Sequence, residues 1–195
     1  MPYDPRIHHR RSTRLSHWDY SWGWWYYVTI CTHDRQCVFG EIVNDTMRLN
    51  DIGKIVHEEW TKTPIIRPEI ELDGFVLMPN HVHGIIIINE MPNAKCDGVF
   101  QKPHRRGEVA SPQKPTGDGT SPLRNTGLGR VIASFKYQST KRINESMGTP
   151  GKKVFQRGYY DHIIRNDADL HRIRTYIANN PLQWAIDEEN PENQE

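Results

Sequence analysis

The sequence is short of several things, and each shortage excludes a class of protein. Three cysteines stand among 195 residues, Cys31, Cys37 and Cys96. They are odd in number and lack metal-type spacing, which argues against a disulfide framework or a thiolate zinc site and for reduced thiols. Long apolar runs are missing too. The longest are Trp24 to Val28 and Ile85 to Ile88, far below the roughly 20 residues of a membrane span. Met1 to Arg14 has no apolar core of the kind a secretory signal needs, so a cytoplasmic location without a membrane partner is expected. There is no internal repeat, no heptad pattern and no glycine-rich phosphate loop. Excess charge of one sign is absent as well: Lys+Arg count 25 against Asp+Glu 24, a formal net charge of +1. A polybasic histone-like protein and a strongly acidic one are both excluded.

Charge is present, but it is sorted along the chain. Residues 101–175 hold 15 basic and 6 acidic side chains, while the remainder holds 10 basic and 18 acidic. Such a split points to a polyanion-binding face on an otherwise neutral protein. The length suits one domain with a real core plus flexible segments. We therefore expect a single domain over 1–186. Within it, 1–17 would be a basic, His-rich arm and 91–126, rich in Pro and Gly, a flexible loop. An acidic tail, 187–195, would be frayed.

Between these lie periodic segments. Trp24 to Thr32 is aromatic and β-branched and reads as a strand. Asn50 is a plausible N-cap for a helix carrying Ile52, Ile55, Val56 and Trp60, ending before Pro64. Ile70 to Leu77 and His81 to Asn89 read as strands joined by Met78-Pro79-Asn80, a tight antiparallel hairpin. A second helix runs from Leu128 to about Asn144 with Val131, Ile132, Phe135 and Ile143 inward. Val154 to Ile164 is strand-like. Asn166 caps a third helix, whose stripe is Leu170, Ile173 and Ile177 and which stops at Pro181. The first six elements follow the β-α-β-β-α-β order. This predicts an α+β protein, a ferredoxin-like antiparallel sheet with helices packed on it.

Two small constellations carry chemistry. His81 and His83 are two apart on a strand, so both imidazoles project from one face and can share a metal ion. They sit at a sheet end, directly after a turn. The plainer reading is two strand histidines that only hydrogen-bond. Tyr176 and Asn180 are four apart on the third helix and share one face. A phenolic oxygen and an amide carbonyl suit a hard cation, or else Tyr176 packs at the stripe edge and Asn180 caps the helix.

The ordered set of motifs resembles the REP-associated tyrosine transposases, members of the HUH single-tyrosine class that act on single-stranded DNA. The matching blocks are Arg10-Arg11-Ser12-Thr13-Arg14-Leu15 followed by Tyr26 to Thr32, and Leu77-Met78-Pro79-Asn80-His81-Val82-His83-Gly84. Then come Phe135-Lys136 with Lys141-Arg142-Ile143-Asn144, Gln156 to Arg165, Tyr176-Ile177 and Asn179-Asn180-Pro181. The loop and the acidic tail fall outside the resemblance, and Phe155 stands where many relatives have Trp. The resemblance implies the HUH endonuclease fold with a C-terminal helix carrying the tyrosine. It implies His81 and His83 as ligands of Mg²⁺ or Mn²⁺, Asn180 as a third ligand, and Tyr176 as the nucleophile.

The implied activity is metal-dependent nicking and rejoining of single-stranded DNA at hairpin repeats through a 5′-phosphotyrosine. Tyrosine is a weak nucleophile at its free pKa near ~10 and needs help from a cation or a base. Arg10, Arg11 and Arg14 on the arm, with Lys136, Lys141, Arg142, Arg157 and Arg165, are the candidate phosphate contacts. The alternative for these cations is a solvated helix face. Aromatics such as Trp18, Trp24, Trp25, Tyr159 and Tyr160 serve either to stack bases or to pack the strands. The expected partner is single-stranded or hairpin DNA, met by a monomer or homodimer associated with the nucleoid. The rivals are a hairpin-binding protein that no longer cuts, and a metal-dependent hydrolase using water.

Overall fold

The structure is a computed structural model that describes residues 18–20, 23–89 and 127–193. The arm at 1–17 and the segment 91–126 lie outside the described residues, as do Arg10, Arg11, Arg14 and Cys96.

The main sheet is built from β1 (Trp25–Cys31), β4 (Ile70–Leu77), β5 (His81–Ile88) and β6 (Tyr160–Ile163). Its order is β4-β5-β1-β6, with every neighbouring pair antiparallel. Together with α1 (Asp51–Thr61) after the first of these strands and α3 (Leu128–Met147) after the third, this is the expected ferredoxin-like arrangement. The Met78-Pro79-Asn80 turn joins β4 and β5 as anticipated, and Asn50 caps α1 by accepting from the Gly53 N–H at 2.9 Å.

A small hairpin between β1 and α1 had no counterpart in the sequence reading. It consists of β2 (Gly40–Val43) and β3 (Thr46–Leu49), joined through Asn44 and Asp45, both at positive φ (51° and 58°). Asn and Asp tolerate that region, and two such residues in sequence make the turn that matches strand twist. A one-turn helix, α2 (Thr63–Ile66), follows α1.

The strands sort their side chains into two layers because alternate residues face opposite ways. Val82, Ile86 and Ile88 of β5 face α1 and α3, in a core with Tyr26, Val28, Ile30, Val56, Trp60, Val131, Ile132 and Phe135. Ile85 and Ile87 face the other way, with Tyr27, onto Leu170, Ile173 and Ile177 of α4 (Asp167–Asn179). The predicted stripe of the third helix is therefore the one that docks it. Gly84 faces the α1 layer, where a Cβ would come within 2.3 Å of the Trp60 ring. That buried indole stacks on Phe75 with centroids 5.0 Å apart. Among the described residues no helix is long and apolar enough to cross a membrane.

Candidate active site

Both histidines project from the α4 side of the sheet, at the end of β5 nearest the turn, and both are buried. Their rings meet edge to face at 4.4 Å. His81 is held by the turn itself. The Asn80 amide nitrogen donates to the carbonyls of Arg35 (3.1 Å) and Glu189 (2.6 Å), which fixes the amide's orientation. Asn80 Oδ1 is then an acceptor 2.8 Å from His81 Nδ1, so that nitrogen carries the proton and Nε2 presents a bare lone pair. His83 Nδ1 lies 2.7 Å from the Tyr27 hydroxyl and 2.9 Å from that of Thr29, both on β1.

α4 brings up Tyr176. Its oxygen is 3.4 Å from His83 Nε2, and the residue is 41 % exposed, so Tyr176 meets both the imidazole and solvent. Arg174, two residues earlier, ion-pairs with Asp73 of β4 through Nε and one terminal nitrogen and pins the helix over the sheet. One turn beyond Tyr176, the buried Asn180 closes α4. Its amide nitrogen donates to Asp187 at 3.3 Å, which turns Oδ1 away from that carboxylate.

Asp187 is the group that the sequence reading missed. A 3₁₀ segment, Asn180–Ile186, follows α4 and sets Trp184 against His81, with centroids 6.1 Å apart. The chain then turns back so that His81, His83 and Asp187 each offer a ligand atom, all within 4.8 Å of one another. The expectation of a frayed tail is thus corrected for residues 187–193. Besides Asp187, the Glu189 carbonyl accepts from Asn80, the Glu189 carboxylate pairs with Arg35 at 3.3 Å, and it accepts from the Cys31 thiol. Nothing in the spacing of the sequence points to this return, because a single short turn far along the chain makes it.

Burial dominates the electrostatics. It lowers His81 to about 4, opposed by the Asp187 charge and by the Asn180 amide beside it. His83 is pushed well below its ordinary value by burial and by His81. Both rings are therefore neutral near pH 7 and competent as ligands. Burial raises Tyr176, Asp187 raises it further, and hydrogen bonding from Asn180 and Tyr27 lowers it.

Whether these residues fit a divalent cation is answered by what lacks a partner. His81 Nε2 and Asn180 Oδ1 are buried, and neither has a hydrogen-bond partner among the described residues. Buried polar atoms are rarely left unmatched unless something else meets them. Two imidazole nitrogens, a carboxylate and an amide oxygen form a donor set of the right kind.

The cations are distributed differently. α3 packs on the sheet face opposite the histidines, so Lys141 and Arg142 are not gathered with Tyr176. Arg142 is clamped by Glu58 (2.8 Å) and Glu59 (2.6 Å) of α1, and Lys141 faces Glu145 at 3.9 Å. Lys136 donates to the carbonyls of Gln156 and Gly158, at 2.9 and 2.6 Å, and burial lowers it to about 8. Arg157 and Arg165 are exposed. Of the aromatics, Trp24 donates to the Ile164 carbonyl and, with Trp18, packs against the core, whereas Tyr160 is half exposed beside Tyr27, with centroids 6.3 Å apart.

The fold and the site together define the class. This is an α+β protein with the fold of a REP-associated tyrosine transposase, solved bound to a REP hairpin. The two superpose with a TM-score of 0.51 over 83 % of this chain and 68 % of that one, at 17 % identity, a likeness of fold alone. No family model matches the sequence. The chain is 39 % identical over 188 residues to an uncharacterized protein of Haemophilus influenzae, covering 95 % of this chain and 96 % of that protein, and it belongs to the same family.

Proposed function

We propose that the protein is a metal-dependent single-strand DNA endonuclease and strand-transfer enzyme of the HUH single-tyrosine class, with Tyr176 as nucleophile. One observation carries this reading. An exposed phenol on α4 stands 3.4 Å from an imidazole that belongs to a three-residue cluster of metal-ligand character. His81, His83 and Asp187 would hold Mg²⁺ or Mn²⁺, with Asn180 Oδ1 completing the set. A divalent cation there supplies charge neutralisation and orientation for in-line displacement at a phosphodiester.

The residues do the rest. The Tyr176 oxygen attacks phosphorus and loses its proton, the bond to the 3′ oxygen breaks, and that oxygen leaves as a 3′-OH. The product is a 5′-phosphotyrosine, which keeps the bond's free energy for rejoining and requires no nucleotide cofactor. In the metal-free protein Asp187 opposes ionisation of Tyr176, and neutralising its charge removes that opposition.

The DNA partner follows from this chemistry and agrees with the hairpin bound to the transposase of like fold. Among the candidate cations, the exposed Arg157 and Arg165 would contact the backbone, together with Arg10, Arg11 and Arg14. Lys136, Lys141 and Arg142 have protein partners to surrender first.

The test is incubation with a panel of hairpin oligonucleotides and Mn²⁺. Wild type is expected to form a covalent adduct stable to denaturation, and Tyr176→Phe none. Cleavage that survives Tyr176→Phe would replace this reading with a water-using hydrolase. Hairpin binding without any cleavage by wild type would replace it with a pure binding protein.

A further inference from the structure

Beneath the histidine pair, three groups lie within hydrogen-bond reach of one another. Thr29 Oγ1 is 2.9 Å from His83 Nδ1, Tyr27 Oη is 2.7 Å from the same nitrogen, and the Thr29 hydroxyl donates to Tyr27 Oη at 3.2 Å. A hydroxyl has one hydrogen. Thr29 spends its hydrogen on Tyr27, so the hydrogen between Thr29 and His83 comes from the ring. The Tyr27 hydrogen is then left over, and Tyr176 stands on that side, its ring edge-on to Tyr27 with centroids 6.3 Å apart.

We propose that Tyr27 and Thr29 are positioning residues that hold His83 as its Nδ1–H tautomer, so that Nε2 faces His81, Asp187 and Tyr176 as a bare lone pair. Register makes this possible. Thr29 lies directly across from His83 in the β1–β5 ladder, and Tyr27 lies two residues along on the same face. Stacking of the Tyr27 ring on His83, with centroids 5.6 Å apart, fixes the imidazole plane as well. His81 receives the same service from Asn80 Oδ1, which can only accept. A metal-binding imidazole needs its second nitrogen held in this way, and loss of such a partner typically weakens metal binding 10–100-fold. The catalytic consequence rests on the nuclease reading above, but the tautomer does not.

The experiment is a ¹⁵N spectrum of the full-length, metal-free protein labelled at histidine, with His83→Gln used to assign the signal. The expected result at neutral pH is a protonated Nδ1 and an unprotonated Nε2 for His83. The double variant Tyr27→Phe/Thr29→Val should shift the proton to Nε2 and weaken Mn²⁺ binding, followed by Mn²⁺ electron paramagnetic resonance, by roughly 10–100-fold. Thr29→Ser, which keeps the hydroxyl, should retain both properties. A wild-type His83 protonated on Nε2 overturns the proposal without any variant, and so does undiminished Mn²⁺ affinity in the double variant. Neither measurement uses DNA, so a Tyr176→Phe protein that still cleaves would sink the tyrosine-nucleophile reading and leave this one standing.

Discussion

His81 and His83 are neutral in the fold because burial makes their charged forms costly, and that cost sets a pH dependence. His81 titrates near 4 when folded, against an ordinary value of 6.5 once unfolded. Between those values the unfolded chain takes up a proton that the native state refuses, so stability falls as pH drops from 6.5 towards 4. Urea unfolding at pH 7 and pH 5 in the presence of a chelator should show this decline, and His81→Gln should reduce it. An unchanged pH profile in His81→Gln would place the effect elsewhere. The carboxylates lowered by arginine partners, such as Asp73 with Arg174, act in a separate window below the ordinary carboxylate value. The histidine pair was legible in the sequence because two residues on a strand share a face by geometry alone. Asp187 was not, because its approach depends on where one 3₁₀ turn after α4 points the chain. Asn80, by contrast, was visible as a turn residue, though nothing in its type announced that it orients His81.

Each element that carries a strong period was readable in advance: the β4–β5 hairpin from its turn, α1 from its cap and α4 from its stripe. The β2–β3 hairpin was missed because its strands have four residues each and only Ile42, Val43, Met47 and Leu49 as apolar members. So short a run falls below any periodic signal, and the Asn44-Asp45 turn was its only mark. Lys141 and Arg142 teach the converse lesson. Periodicity places them correctly on the outside of α3 but cannot say which sheet face α3 covers, and that face is the one away from Tyr176. Gly84 links two elements. Its missing Cβ admits Trp60 of α1 to within contact of β5. Gly84→Ala should destabilise the protein by roughly 1–3 kcal/mol, as overpacking does. The measurement is the urea midpoint, with Mn²⁺ affinity as control. Because the clash falls on the helix side, affinity should stay near wild type, and a large loss would mean that the two faces are mechanically coupled.

Across the whole molecule, the sheet separates a layer that holds the fold together from a layer that presents polar groups. Binding at the second layer should be felt by the entire fold, because a ligand of the native state alone stabilises all of it. Mn²⁺ at about 100 times its dissociation constant adds roughly 2.7 kcal/mol, which for a chain of this size corresponds to a melting temperature roughly 5–10 °C higher. A chelator should reverse the shift, and Asp187→Asn should reduce it. A wild-type protein that melts at the same temperature with millimolar Mn²⁺ and with chelator has no such metal site. The two-layer plan also depends on counting. In β5 the odd-numbered positions face α4 and the site while the even-numbered ones face α1 and α3, so one residue added or lost there would exchange the two sets. His81 and His83 would turn into the α1–α3 layer, and Val82 and Gly84 would take their places at the site. Among descendants of this sequence, insertions and deletions should therefore collect in the connecting segments and be absent between Leu77 and Ile88. That stretch can change its letters but not its length.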